Sequence, residues 1–411
     1  MTSVEATAAA AEGAARRSYG KLVAFLSART RDLAGAEDAL SEAFAAALAG
    51  WPVHGVPRTP EAWLLTVARR KMVDAVRARI HDEHASEHLQ LVAELAAPQD
   101  GEAELPDERL GLLFACAHPG IEPVARAPLM LQTVLGFDAA AIASAFLVAP
   151  ATMGQRLVRA KAKIRQAGIP FHVPERHQLA ERLDAVLGAI YAAYAEGWAD
   201  AEGTDPRRRN LAEEAIWLGR LLVSLLPAEP EAAGLLALML HSHSRRHARR
   251  DAEGDYVPLA LQDTTRWDGM LLDEAEALLQ QASRRGAPGR YQLEAAVQSA
   301  HAMRRFGRPP DWAAIVILYE ALHALTASPV AALNHAVALA EAEGAAAGLA
   351  ALRELEGDAR LRDYQPYWAA RAELLARSGD KAGAAEAYRL ATGLERDEAV
   401  RRFLQRKAEA L

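Results

Sequence analysis

Cysteine is nearly absent: one residue, Cys116, in a chain of 411. A single thiol excludes an internal disulfide and suits a reducing, cytoplasmic setting. Long apolar runs are missing too, with no window reaching the ~18 continuous apolar residues that suggest a membrane span. The opening MTSVEATAAAAEGAARR carries Glu5 and Glu12 where a secretory signal needs a basic start and an apolar core. Neither export nor a membrane partner is expected. Excess positive charge is lacking as well: 47 Lys and Arg stand against 54 Asp and Glu, a formal net charge of -7. That excludes a protein that coats nucleic acid, so any DNA contact must come from local basic stripes on an acidic body. Aromatics make up only 6% of residues, whereas 51% are apolar and Ala and Leu dominate every segment. The chain therefore reads as all-α and long enough for two or three domains with real cores.

Catalytic signatures are also wanting. No Walker loop, G-x-G-x-x-G or G-x-S-x-G occurs. His241, His243 and His247 lie in HSHSRRHARR, and on a helix His243 and His247 share a face. No Glu follows the first His in the H-E-x-x-H manner, and the flanking arginines repel a cation. The cluster reads as a solvated basic patch, with no metal. Cys116 and His118 in FACAHPG imitate a nucleophile and base, but Cys116 sits in an apolar helix ahead of Pro119 and reads as a core thiol. Glu196, Gly197 and Trp198 are candidate pocket residues, with Gly197 placed to end a helix. No catalytic residue, metal or cofactor is expected.

What the chain does contain is a stretch free of acidic residues from Ala139 to Pro174, with Arg156, Arg159, Lys161, Lys163 and Arg165 inside it. Its periodicity predicts a short apolar helix over Ala139–Phe146, a break at Leu147–Pro150 and a longer basic helix. This is the layout of a helix-turn-helix, whose second helix enters the DNA major groove. On that second helix Met153, Leu157, Ala160 and Ile164 would face the core. Thr152, Gln155, Arg156 and Arg159 fall on the outward side, where base edges and phosphates are met, and Lys163 joins that basic face.

Upstream, residues 31–48 make an acidic amphipathic helix in which Leu40, Phe44 and Leu48 recur every four residues beside Glu37, Asp38 and Glu42. Residues 58–80 are basic, and Pro60 followed by Glu61 gives a good helix start. Trp63, taken singly, reads as a core residue. Interleaved with Arg69, Arg70, Lys71, Arg77 and Arg79, it suits a surface that holds a DNA strand and stacks on unpaired bases. Four segments result: a helical unit over 16–80, an acidic connector over 81–108, a helix-turn-helix unit over 109–170 and a helical tail over 175–411. The connector carries nine Asp and Glu, from Asp82 to Glu108, and no Lys or Arg. Such a run reads as a solvated linker.

Two such units in this order resemble regions 2 and 4 of the bacterial sigma-70 family, in its short extracytoplasmic-function branch. AEDALSEAF (Ala36–Phe44) resembles the region 2 helix that binds the clamp of core RNA polymerase, which implies contacts from Asp38, Leu40, Glu42 and Phe44. PEAWLLTVARRKMVDAVRAR (Pro60–Arg79) is similar to the segment that melts and reads the -10 element, which implies roles for Trp63, Arg69, Arg70, Asp74 and Arg77. The helix-turn-helix resembles the reader of the -35 element, and the connector would then thread along the polymerase channel. Ser41, Arg70 and Gly154 depart from the residues common in that pattern. The Gly costs about 1 kcal/mol of helix propensity.

The tail is similar to a long C-terminal extension, related to tetratricopeptide repeats, that one subgroup carries. LAEEAIWLGRLLVSLLP, GLLALML, LQDTTRWD, SPVAALNHAVALAEAEGAAAGLAAL and AARAELLARSGDKAGAAEAYRLA carry this resemblance. The residues alone show helical hairpins with a period near 36: Ala336, Leu339, Gly348 and Leu352 precede Ala372, Leu375, Ala384 and Tyr388 by that interval. Tyr291–Leu325 is a degenerate copy. Stacked hairpins make a groove that binds peptides or helices. The resemblance thus implies a sigma factor whose partners are core RNA polymerase and promoter DNA. Its tail would act in cis by touching region 2, region 4 or the polymerase. The alternative from another class is a helix-turn-helix regulator with a repeat-type sensor that does not replace sigma.

Overall fold

Helix starts along this chain are set by short acidic or hydroxyl side chains that accept the first free amides, the groups a helix cannot satisfy internally. Asp32 accepts from the Gly35 amide, Asp138 from Ala140 and Ala141, Asp268 from Met270 and Leu271, Asp311 from Ala314, Ser328 from Ala331 and Asp380 from Gly383. The computed structural model describes residues 18–79, 107–146, 148–199, 206–286 and 288–411. Most of the acidic connector, the residues before 18 and Leu147 at the expected break lie outside them. The protein is all-α. Among the described residues there is no strand, only an isolated antiparallel bridge between Arg250 and Tyr256. No described helix is long and apolar enough to cross a membrane.

These residues divide into two compact units. The first runs to Gly197 and takes Pro206–Ala215, and the second takes Trp198 and the chain from Ile216 to Leu411. The expected start of the tail, at residue 175, falls inside the first unit.

In the first unit α1 (18–30), α2 (Leu33–His54) and α3 (Pro60–Arg79) pack around Leu22, Phe25, Leu26, Leu40, Leu64 and Ala68, all fully buried. α4 (Arg109–Cys116) and α5 (Pro123–Leu135) follow, with every residue from Leu110 to Ala117 in the core. α5 ends on Gly136 at φ 75°, a left-handed conformation open to glycine at no steric cost. The Gly136 amide donates to Gln132 O and the Phe137 amide to Leu131 O, so two of the last carbonyls of the helix are satisfied by the chain that leaves it. α6 (Ala139–Ala145) and α7 (Pro150–Gln166) pack on each other and on α5. α8 (Arg176–Ala199) contributes Leu183, Val186, Leu187 and Ile190 to this unit's core, and Arg182 Nη2 donates to Phe114 O at 2.9 Å. α8 continues through Gly197, which is buried within it and ends no helix, because the helical hydrogen bonds run on to Ala199.

The second unit begins within α9 (Pro206–Leu225) and is organised on α10 (Pro230–Ser244), where all but three residues are buried. α11 (Gly269–Ser283) and α12 (Arg290–Ala302) pack on α10. The cap of α12 comes from another helix. Gly289 has no side chain to offer, so the Glu231 carboxylate of α10 accepts from the Tyr291 amide at 2.9 Å and the Gln292 amide at 3.1 Å. α13 (Trp312–Thr326), α14 (Pro329–Glu343), α15 (Ala345–Arg353), α16 (Gln365–Ser378), α17 (Lys381–Leu394) and α18 (Glu398–Glu409) then pack each on the next. Ala336 and Ala372, Gly348 and Ala384, and Leu352 and Tyr388 are buried in pairs 36 residues apart. Small residues at the first two pairs let consecutive helices approach: a Cβ on Gly348 would stand 2.7 Å from Ala336 O. Asp255 holds α18 through Arg402 and Arg406.

Candidate nucleic-acid interface

α7 presents two different faces. Met153, Leu157, Ala160 and Ile164 are buried, as their spacing requires. Thr152, Gln155, Arg159 and Lys163 are exposed and Arg156 is half-buried. Arg159 Nε leans on Gln155 O at 3.4 Å, and no described acidic residue pairs with Arg156, Arg159 or Lys163. Pro150 at the first helical position leaves the early amides of α7 uncapped by any side chain. This end combines free amides, the positive end of the helix dipole and unpaired guanidinium groups, all suited to phosphate. Gly154 has nothing within 4 Å of where a Cβ would stand.

Lys161 behaves differently from its neighbours. Its Nζ forms an ion pair with the Glu37 carboxylate of α2, with side-chain exposures of only 16% and 10%. Burial pushes the Glu37 carboxyl above the usual carboxylate range, against the pull of the Lys161 charge and hydrogen bond. The sequence did hold a signal for this pair: Glu37 lies four residues after Leu33 and three before Leu40, on the apolar face. A charged residue there is buried only if a partner meets it.

On α2, Asp38 and Glu42 are exposed, and Glu42 pairs with Lys71 of α3 at 2.8 Å. Leu40 is fully buried and Phe44 half-buried, so of the four residues expected to meet the polymerase Asp38, Glu42 and part of Phe44 are open to solvent. Leu48 is 51% exposed, Val53 78% and Val56 42%, which leaves an open apolar end to the same helix. Trp63 on α3 is half-buried, its ring edge-to-face with Trp51 at 5.5 Å. Arg70 and Asp74 are exposed. Arg69 folds inward with its guanidinium 5.2 Å from the Phe25 ring centre. Arg29 lies over the same ring at 3.5 Å, and burial together with that second charge holds the Arg69 pKa below its ordinary value. The Arg77 side chain lies outside the described residues.

The candidates of the second half change character. His241 and His243 are not a solvated patch: they are 1% and 6% exposed, on the inner face of α10. Burial, with Arg245 and Arg305 facing His241 and Arg246 facing His243, lowers their pKa values to about 3 and about 4, so both are neutral at pH 7. The arginines that argued against a metal ion in the sequence also keep these rings neutral. Among the described residues no group of three His, Cys, Asp or Glu side chains could hold a metal ion. Cys116 is fully buried, 3.4 Å from Thr133 Oγ1, and burial pushes its thiol to about 12, far from a nucleophile. The second unit holds a cavity of about 710 Å³ lined in part by His301, Arg304, Arg308, Trp312, Tyr319 and Asn334.

Comparison with known proteins meets this geometry at both ends. Residues 15–80, which span α1 to α3, match sigma-70 region 2. Residues 182–283 match a family of unknown function, DUF6596. An uncharacterized protein of Rhizobium meliloti (strain 1021), R00370, is 41% identical over 370 residues, covering 89% of this chain and 87% of that protein. No solved structure matches. With region 2 on its first three helices and a full-length relative at that identity, the chain belongs to the family of R00370 and is a sigma-70 family member.

Proposed function

We propose that this chain is an alternative sigma factor of the extracytoplasmic-function type, which binds core RNA polymerase in the cytoplasm and directs it to a subset of promoters. The observation that carries the reading is the order of two surfaces: a region 2 bundle, then a helix pair whose second helix turns outward cations that pair with no described acidic residue, on a chain that is acidic overall. In this reading Asp38, Glu42 and the exposed part of Phe44 on α2 dock on the polymerase clamp, whereas Leu40, expected among them, is fully buried and holds α2 to the core instead. Trp63, Arg69, Arg70, Asp74 and Arg77 of α3 engage the -10 element, where melting exposes bases for capture. Thr152, Gln155, Arg156, Arg159 and Lys163 of α7 read the -35 major groove. The protein does no bond chemistry, since polymerisation belongs to the polymerase. The tetratricopeptide-like second unit regulates in cis, and its cavity is where a signal would be read. That no acidic residue among the described ones pairs with Arg156, Arg159 or Lys163 supports this assignment, since phosphate is then the partner these cations fit.

Run-off transcription with purified core polymerase on the chain's own upstream DNA tests the reading. A start site that needs this protein and disappears with Arg156→Ala or Asp38→Ala supports it. Duplex binding by the chain alone, with no affinity for core polymerase, would instead identify a conventional regulator. Deleting residues 175–411 is expected to change promoter output in cells; unchanged output removes the cis-regulatory role.

A further inference from the structure

Helices α12, α13 and α14 wall the cavity of about 710 Å³ in the second unit. Trp312 and Tyr319 stand two turns apart on α13, so both rings line the same side of the space. Asn334, Val337 and Ala338 of α14 form a second wall at helical spacing. Trp312 and Tyr319 also pack on the core cluster of Val297, Ile315 and Ala338, which fixes where their rings lie. The His301 ring of α12 meets Trp312 edge-to-face at 5.4 Å. Arg304 secures a further side: its terminal nitrogens donate to Leu259 O and, at 3.2 Å, to Gln262 O, which pins that turn beside the cavity.

His301, Tyr319 and Asn334 line this space and make no hydrogen bond with any described residue. Polar groups left unpaired around a mostly apolar cavity are the usual means by which a site orients a ligand. All three are uncharged at pH 7. Burial, with Arg245 and Arg304 facing it, lowers the His301 pKa to about 4. Burial, with Glu294 nearby, pushes the Tyr319 phenol to about 12, so its O–H remains a donor. Charge enters at the rim instead. Glu341 is an acid on the lining, but it is paired with Arg377. Arg308 is exposed, and no described acidic residue pairs with it. Its backbone is confined on both sides, by the left-handed Gly307 at φ 70° and by Pro309 and Pro310. A guanidinium on so restricted a segment loses little freedom when it takes up a partner.

The geometry points to a binding site for a small planar organic carboxylate. Its flat body would lie against Trp312 and Tyr319, and its carboxylate would meet Arg308. The oxygens left over would accept from the Tyr319 hydroxyl, the Asn334 amide and the His301 ring. The volume falls within the range of about 300–1,000 Å³ common for small-molecule sites. A cation would face Arg304 and Arg308 with no free carboxylate on the described lining to offset them. The assignment gives a ligand class to the sensor role proposed above, and it rests on that reading only for its consequence in transcription.

The test uses the full chain without polymerase, and calorimetry with three probes. Each is a naphthalene ring bearing, at the same carbon, a carboxylate, a carboxamide or an aminomethyl group. The carboxylate is expected to saturate a single site per chain, in about the millimolar range or tighter. The carboxamide should bind about tenfold more weakly, and the aminomethyl cation should not saturate. Arg308→Met keeps the aliphatic stem of an exposed residue, so the fold does not depend on it. It should bring the carboxylate down to the affinity of the carboxamide and leave the carboxamide unchanged. Tyr319→Phe should weaken both by about fivefold. No saturable binding of the carboxylate overturns the site. Equal binding of all three probes overturns the ligand class, and a carboxylate indifferent to Arg308→Met overturns the anchor. Run-off transcription separates this inference from the reading beneath it. A promoter-specific transcript without carboxylate binding removes the ligand site alone, whereas the expected binding with no core-dependent transcript removes the sigma-factor reading and leaves the site standing.

Discussion

Lowering the pH from 7 to 5 should destabilise the second unit by about 4 kcal/mol through His241 and His243. Both rings are buried and neutral in the folded state, with pKa values of about 3 and about 4 against an ordinary 6.5. The unfolded chain therefore binds protons that the folded chain refuses. Stability is full above pH 6.5 and is lost as the pH falls from there towards 4. At pH 5 the solution is 1.5 pH units below the ordinary imidazole pKa of the unfolded chain, worth about 2 kcal/mol per ring at 1.36 kcal/mol per pH unit. The only described acid near His241 is Glu276, at 3.6 Å from Nε2, too far for a good hydrogen bond. Its partial attraction makes the figure an upper value. Paired carboxylates such as Asp255 have depressed pKa values and stay charged across this window, so they do not share in the loss. A urea titration read by hydrogen exchange of the Pro230–Ser244 amides measures the opening free energy of α10 directly. A drop of less than about 1 kcal/mol between pH 7 and pH 5 would refute the reasoning. So would an equal drop in His241→Leu/His243→Asn, which has neither ring to titrate.

Glu231→Ala removes the acceptor of two α12 amides and should destabilise the second unit by about 2 kcal/mol, with Glu231→Gln costing less, both read by urea denaturation. Gly348→Val places a side chain 2.6 Å from the Ala340 Cβ and 2.7 Å from Ala336 O, so α14 and α15 must move apart. A cost of about 1–3 kcal/mol is expected in the same assay, and a neutral result would mean that the close approach is not required. Gly154→Ala meets nothing within 4 Å and should raise the stability of α7 by about 1 kcal/mol, measured by exchange of its amides.

The parts of this fold that a reader could foresee are those governed by period alone. Met153, Leu157, Ala160 and Ile164 repeat at three and four residues, and that spacing determines which side of α7 is covered. The positions 36 residues apart in α14 to α17 are likewise buried in matching pairs, because a repeat of helix pairs must bury the same places each time. Periodicity says which face is covered but not by what. Glu37, on the apolar side of α2, reads from composition as part of a solvated acidic face, and only the approach of Lys161 from another helix makes its burial tolerable. His241 and His243 misled for the opposite reason. Their arginine neighbours in sequence point to solvent, yet α10 is enclosed by α11 and α12, and a neutral imidazole fits where a charged one does not. Gly197 is the same lesson in backbone terms. A glycine marks where a helix is free to end, whereas the hydrogen bonds of α8 decide that it continues to Ala199.

The two charge patterns of α7 also constrain each other. A helix that only read DNA would gain by turning every cation outward, since each phosphate contact adds to affinity. A helix that only buttressed a core would carry none unpaired. α7 divides its basic residues, with Arg156, Arg159 and Lys163 paired to no described acidic residue and Lys161 committed to Glu37. Increasing salt should therefore weaken DNA binding through the exposed set, yet scarcely loosen the nearly buried pair, because buried charges are screened far less. A full chain that loses its hold on promoter duplex between 50 and 200 mM salt while its α2–α7 distance stays short would separate the two roles. An α2–α7 distance that lengthened over the same range would show that Lys161 is, after all, one of the surface cations.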